Sequence, residues 1–287
     1  MKRFVIRPFV LVGVIFAIIL LWATAHSYKW HYGLAYHAGL LDLKPAPVLN
    51  VGEEKYIAHA GGSIDGIQYT NSSEAFIKAI DDGYRFIEFD LRLSLDGHYF
   101  GAHYIDDFND NTGHPYQWLI PPTVSQIRER KILNRYTPLL LADIDEILDK
   151  YPHVMIDIDK GEDYPKMLQE CPRPERMIIK TTTPYRYIAA RAAGFPYVAF
   201  DGYDKEIIEE LGIKILVLDD GIDPNDPYLQ KYCKEGGLLL ITGFKNAKDI
   251  PTDFLQLNAL FYVDEKQFFA LMENNRNQIV QGRLFFL

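Results

Sequence analysis

The chain has 287 residues, of which 39 are acidic and 30 basic, for a formal net charge of −9. A surplus of that sign repels polyanions, which argues against nucleic acid as a partner, and a hydrophobic content of 48% excludes a disordered tail. Only two cysteines are present, Cys171 and Cys233, too few for a disulfide framework and without zinc-ligand spacing; they read as separate free thiols, with a single bridge as the alternative.

At the amino terminus, Lys2, Arg3 and Arg7 precede an apolar run from Phe9 to Ala25 broken only by Gly13 and Thr24. A helix over that run is roughly 25 Å long, marginal for a hydrocarbon core of about 30 Å. Ala23-Thr24-Ala25 matches a signal-peptidase site, while Trp22, Tyr28, Trp30 and Tyr32 resemble an interfacial aromatic belt. The segment therefore reads first as an uncleaved signal anchor, with a cleaved signal peptide and a buried core helix as alternatives. In both secretory readings the basic flank places the rest of the chain outside the cytoplasm, membrane-anchored if uncleaved and secreted or periplasmic if cleaved. We assign residues 1–30 to this segment, 31–54, with its Lys44-Pro45-Ala46-Pro47, to a linker, and 55–287 to one domain.

From Lys55 onward the chain alternates. Strand-like runs occur at Tyr56–Ala58, Phe86–Leu91, Tyr99–His103, Val154–Ile158, Met177–Lys180, Tyr197–Phe200, Ile215–Leu218, Leu238–Thr242 and Leu260–Val263. Helical patterns lie between most of them, at Ser73–Asp82, Ala142–Lys150, Tyr185–Ala193, Lys205–Leu211 and Pro227–Lys234, and a last one follows at Glu265–Asn274. This rhythm predicts an α/β fold with a parallel sheet covered by helices: a closed (β/α)8 TIM barrel, with an open doubly wound sheet as the competitor. Nine runs are one more than a barrel needs, so one is expected to be an extra. The stretch after His103, with His114, Tyr116, Gln117 and Trp118, is expected to be either a substrate-covering insertion or a packed surface loop.

Polar residues concentrate at the carboxyl ends of the apolar runs, where a purely structural core would not tolerate them. His59 follows the first run and His103 ends the third; Glu88 with Asp90, and Asp157 with Asp159, lie two apart and share a strand face, and Arg92 continues the first pair's parity. In a barrel these ends converge on one rim. Clustered carboxylates need a cation, and an oxygen-rich set without thiolates suits Ca²⁺ or Mg²⁺. The open-sheet oxidoreductase is disfavoured, since His59-Ala60-Gly61-Gly62 lacks the three-glycine phosphate-binding spacing.

The combination His59-Ala60-Gly61, Asn71, Glu74-Ala75-Phe76, Gly83, Ile87-Glu88-Phe89-Asp90, Asp96-Gly97 and His103, continued at Ile156-Asp157-Ile158, resembles the glycerophosphodiester phosphodiesterase family within the phospholipase C-like superfamily. The resemblance implies a (β/α)8 barrel in which Glu88, Asp90 and Asp157 hold a divalent ion and His59 and His103 act as general acid and base. Three departures mark a divergent branch: Ala60 stands where the family has a phosphate-binding arginine, Tyr69-Thr70-Asn71-Ser72 replaces Pro-Glu-Asn-Thr, and Asp159-Lys160 follows the later carboxylate where the family has a lysine two residues on. Arg92 and Lys180 are the candidates to bind the phosphate in the missing arginine's place; each could equally serve as an ion-pair partner of the acids. The expected activity is hydrolysis of a glycerophosphodiester or related lipid-derived phosphodiester to an alcohol and a phosphomonoester. The alternatives are a lyase stopping at a cyclic phosphate and a membrane-anchored binding protein with a degenerate site.

Overall fold

The computed structural model describes residue 17 and residues 29–263 except 245, 246, 248 and 249. The apolar run Phe9–Ala25, apart from its residue 17, and the helix expected at Glu265–Asn274 lie outside the described residues. Among the described residues no helix is long and apolar enough to cross a membrane.

Among the described residues nine strands form: β1 (Tyr56–Ala58), β2 (Phe86–Leu93), β3 (Tyr99–Gly101), β4 (Met155–Asp159), β5 (Met177–Thr181), β6 (Tyr197–Asp201), β7 (Ile215–Asp219), β8 (Leu238–Thr242) and β9 (Ala259–Val263). Eight of them run parallel in the ring β1-β2-β4-β5-β6-β7-β8-β9, and β9 pairs back onto β1 to close a (β/α)8 barrel. The extra strand is β3, which pairs antiparallel with the upper half of β2, Leu91 opposite Gly101 and Leu93 opposite Tyr99. His103 thus reaches the mouth from a hairpin rather than from a barrel strand.

Each barrel strand is buried on both faces, which explains the near-continuous apolar runs. Ile57, Phe86, Met155, Ile178, Ala199, Ile215, Leu238 and Leu260 point inward and pack together, while Ile87, Phe89, Ile156, Ile179, Leu216 and Phe261 face the helices. Polar caps start the helical layer: Ser72 accepts from the Ala75 amide, Asp163 from Lys166, Thr183 from Arg186 and Asp226 from Tyr228. Three of these caps precede helices with proline in the first turn, where its missing N–H costs nothing.

The segment 31–54, read as a linker, is part of the folded body. Trp30–His37 is a helix whose Gly33 lies against the Tyr185 ring, where a β-carbon would meet Tyr185 Cδ1 at 2.2 Å. Further on, Arg191 donates to the carbonyls of Lys44 and Pro45. Leu49 and Val51 are buried with the inward barrel residues, and Arg85, just before β2, donates to the Val51 carbonyl at 3.4 Å. The segment therefore stoppers the amino-terminal end of the barrel.

Leu49→Ala should cost about 2–3 kcal/mol of stability through the cavity it leaves, measured by denaturant unfolding; an unchanged midpoint would remove the stopper role. Both cysteines are free thiols, and burial, reinforced by Asp145, pushes Cys171 up to about 12. Native protein at neutral pH should therefore leave Cys171 unmodified by a thiol-specific reagent, with reaction appearing only on unfolding; rapid native labelling, read by peptide mass, would contradict this.

Candidate active site

The β2–β4 register sets Glu88 beside Asp157 and Asp90 beside Asp159, all facing the barrel interior. Glu88, Asp90 and Asp157 are 4%, 2% and 0% exposed, so their charges need internal partners. Two lysines supply them. Lys180, from β5, forms an ion pair with Glu88 and lies 3.4 Å from Asp157 Oδ2. Lys160 Nζ lies 2.5 Å from Asp90 Oδ1 and 3.2 Å from Asp159 Oδ2.

The four carboxylates fall into two levels. Oxygens of Glu88, Asp90 and Asp159 lie within 4.8 Å of one another and form the one group of three or more potential metal ligands among the described residues. Asp157 sits apart from that group, accepting from the Tyr262 hydroxyl at 2.5 Å, with its Oδ1 lacking any hydrogen-bond partner among the described residues. Burial pushes its carboxyl up to about 7 in spite of Lys180. Burial opposes the charge of Lys180 as well, yet Asp157 and Glu88 together hold its ammonium well above the ordinary lysine range. The third carboxylate grouped with Glu88 and Asp90 is therefore Asp159, one inward position nearer the mouth than the expected Asp157. The donor set fits a hard divalent ion: all ligands are oxygens, and the three grouped carboxylates outnumber the two ammoniums beside them.

Backbone geometry aims these acids. Asn71 is fully buried, donates from Nδ2 to Asp90 Oδ2 at 3.1 Å, and accepts at Oδ1 from the Asp90 amide at 3.1 Å. The Ala60 N–H donates to Glu88 Oε2 at 3.2 Å. Ala60, Tyr69 and Asn71 all have positive φ, between 46° and 60°, so the first loop is held in a left-handed conformation that side chains resist. Gly101 on β3 lets this loop approach, since a β-carbon there would lie 2.8 Å from the Asn71 carbonyl oxygen.

His59 Nε2 lies 3.3 Å from Glu88 Oε2, with its side chain about a third exposed. The Tyr69 ring meets His59 edge-on at 4.8 Å and His103 edge-on at 5.1 Å, so one phenol links the two imidazoles. Burial lowers the His103 pKa against the opposing pull of Asp90. Arg92 donates from Nε and Nη2 to the His103 carbonyl, at 3.1 and 2.6 Å, and stacks on Tyr104; it fixes the His103 backbone and makes no ion pair with the acids. Beside His103 opens a cavity of about 200 Å³, lined by Tyr69, Thr70, Asp107, Phe108 and Leu133.

The site thus brings together His59, His103, Glu88, Asp90 and Lys180, with Asp157 beneath them and Arg92 behind His103. Tyr262 and Asn71 were not anticipated as site residues; Tyr262 shares the strand parity of the inward Leu260, which was the available signal. The stretch after His103 folds on a small core of its own, Phe100, Phe108, Ile127, Ile132, Tyr136 and Leu140.

No protein-family model and no curated protein sequence matches this chain. Its fold is that of several solved structures. The glycerophosphodiester phosphodiesterase of Thermotoga maritima superposes with a TM-score of 0.59 at 17% identity, over 78% of this chain and 100% of that one. A glycerophosphoryl diester phosphodiesterase of Parabacteroides distasonis gives 0.60 at 14%, over 80% and 92%. A phosphodiesterase of Oleispira antarctica, in complex with the product sn-glycerol-3-phosphate, gives 0.54 at 16%, over 72% and 92%.

Removal of the Asp159 carboxylate (Asp159→Asn) should weaken Ca²⁺ or Mg²⁺ binding by about tenfold or more in calorimetric titration, whereas Asp157→Asn should alter it little. The reverse order would return Asp157 to the ligand set.

Proposed function

We propose that the protein is a phosphodiesterase of the glycerophosphodiester phosphodiesterase type, cleaving a glycerophosphodiester or related lipid-derived phosphodiester to an alcohol and a phosphomonoester. The observation that carries this reading is the juxtaposition of two histidines, linked by the Tyr69 ring, with a three-carboxylate group at the mouth of the barrel. The fold shared with solved phosphodiesterases supports it.

Glu88, Asp90 and Asp159 would hold the divalent ion, Ca²⁺ or Mg²⁺, which when bound neutralises phosphoryl oxygens. The chain's own residues account for the rest. Lys160 lies 21% exposed at the edge of the cluster, and Lys180 lies 11% exposed beneath it; these ammoniums stand in for the cationic side chain absent at Ala60. One imidazole accepts the proton of the attacking hydroxyl, from water or from the substrate's neighbouring alcohol, and the other returns a proton to the leaving alkoxide. Arg92 keeps His103 in place through its carbonyl, and Asn71 keeps Asp90 in place through both amide atoms. The cavity beside His103 receives the group esterified to the phosphate.

His59→Ala and His103→Ala should each reduce turnover of glycerophosphodiesters by about two to four orders of magnitude. On a nitrophenyl phosphodiester, whose leaving group needs no proton, the variant lacking the general acid should recover strongly. Near wild-type rates for both variants on glycerophosphodiesters would defeat the assignment, and accumulation of a cyclic phosphate as final product would favour the lyase.

A further inference from the structure

The loop between residues 114 and 122 presents Tyr116, Trp118, Leu119 and Ile120 at 100%, 62%, 61% and 59% exposure. A single exposed leucine is ordinary; four large apolar side chains within five residues are not. From Asn111 to Ile127 the sequence contains no Asp, Glu, Lys or Arg.

The loop is held rigidly, and the way it is held is informative. Asn109 is fully buried and donates from Nδ2 to the carbonyls of Trp118 and Ile120, at 3.0 and 3.1 Å. Arg130, 6% exposed, donates to Asn109 Oδ1 at 2.9 Å and to Gln117 Oε1 at 2.6 Å, so a buried guanidinium is committed to bracing this loop. The carbonyls of His114, Pro115 and Gln117 accept from the amides of Gln117, Trp118 and Ile120, and Pro122 accepts from Leu95. Pro115, Pro121 and Pro122 have no N–H to satisfy. Trp118 is kept at φ 35°, a conformation a bulky residue adopts only under such constraint.

Most of the polar backbone of the tip is therefore paired inside the protein while its apolar side chains are turned outward. That combination suits a phase that offers few hydrogen bonds. Tryptophan and tyrosine beside leucine and isoleucine, without formal charge, are the composition of the headgroup–acyl boundary. The same chain carries the apolar run Phe9–Ala25, ending shortly before the described residues begin.

We propose that the 115–120 tip is an interfacial anchor whose Tyr116, Trp118, Leu119 and Ile120 side chains enter the surface of a lipid bilayer. The insertion grows from the strand end that bears His103, so docking holds the barrel mouth close to the membrane. The inference is independent of the phosphodiesterase reading and is tested without an activity.

The chain has three tryptophans, so Trp22→Phe with Trp30→Phe leaves Trp118 as sole reporter in the full-length protein. This protein is reconstituted in dioleoylphosphatidylcholine vesicles with and without brominated acyl chains. Trp118 emission should fall about twofold or more with brominated lipid and lose its quenching by aqueous iodide. Because Phe9–Ala25 can hold the chain on the vesicle by itself, depth of Trp118 is the readout rather than binding. Adding Leu119→Ser and Ile120→Ser, at exposed positions where folding is not at stake, should restore iodide access. Equal emission in both lipids with iodide access retained would overturn the proposal. Shielding of Trp118 from both quenchers, with cross-linked pairs of chains, would assign the tip to a second copy and overturn it equally.

Discussion

Glu88 and Asp90 on β2 stand in register with Asp157 and Asp159 on β4, and all four point into a barrel whose lower interior is apolar. Concentrating four carboxylates in so small a volume is possible only with cations held among them, because a buried unpaired charge costs several kcal/mol. Lys180 and Lys160 meet that requirement from two different strand ends, and the partition they impose shapes everything above them. Lys180 and Tyr262 bind Asp157 downward, into the barrel, leaving Glu88, Asp90 and Asp159 gathered at the mouth.

The first loop is organised around the same acids. Four non-glycine residues there, Ala60, Asp65, Tyr69 and Asn71, adopt the left-handed conformation, each at a cost of about 1–2 kcal/mol. The return is direct: Ala60 turns its amide to Glu88, Asn71 grips Asp90 at two points, and Tyr69 is set between the histidines. Strain of this kind where polar groups converge is the pattern expected of a functional centre. Alanine at position 60 suffices for this role, since the contact to Glu88 is made by the main chain.

Apolar runs located the nine strands found among the described residues, and β3 was the surplus one. Their ends were less legible in a systematic way. β4, β5, β6 and β7 each continue one residue past the apolar run, to Asp159, Thr181, Asp201 and Asp219. Hydrophobicity stops where the mouth begins, so a pattern of burial ends each strand one residue early; Asp159 was legible as the same-face partner of Asp157, and it was the family resemblance that put Asp157 rather than Asp159 with Glu88 and Asp90. Lys160 was illegible for another. Strand alternation turns it away from the interior, but φ of 66° breaks the strand there and returns its ammonium to Asp90 and Asp159. The helix Trp30–His37 has no amphipathic stripe to announce it, and the short helices Ile105–Asn111 and Val124–Glu129 span too few turns for periodicity to register.

The insertion joins these two scales of organisation. Its small core shares Phe100 and Ala102 with β3 and the turn after it, and His103, next in the chain, is held from behind by Arg92. Asn109 and Arg130 then carry the same rigidity outward to the exposed tip. The segment that follows His103 is thus also the segment that orients the apolar tip: Phe108 packs into the small core with Phe100 and Ala102, and Asn109, the next residue, holds the Trp118 and Ile120 carbonyls.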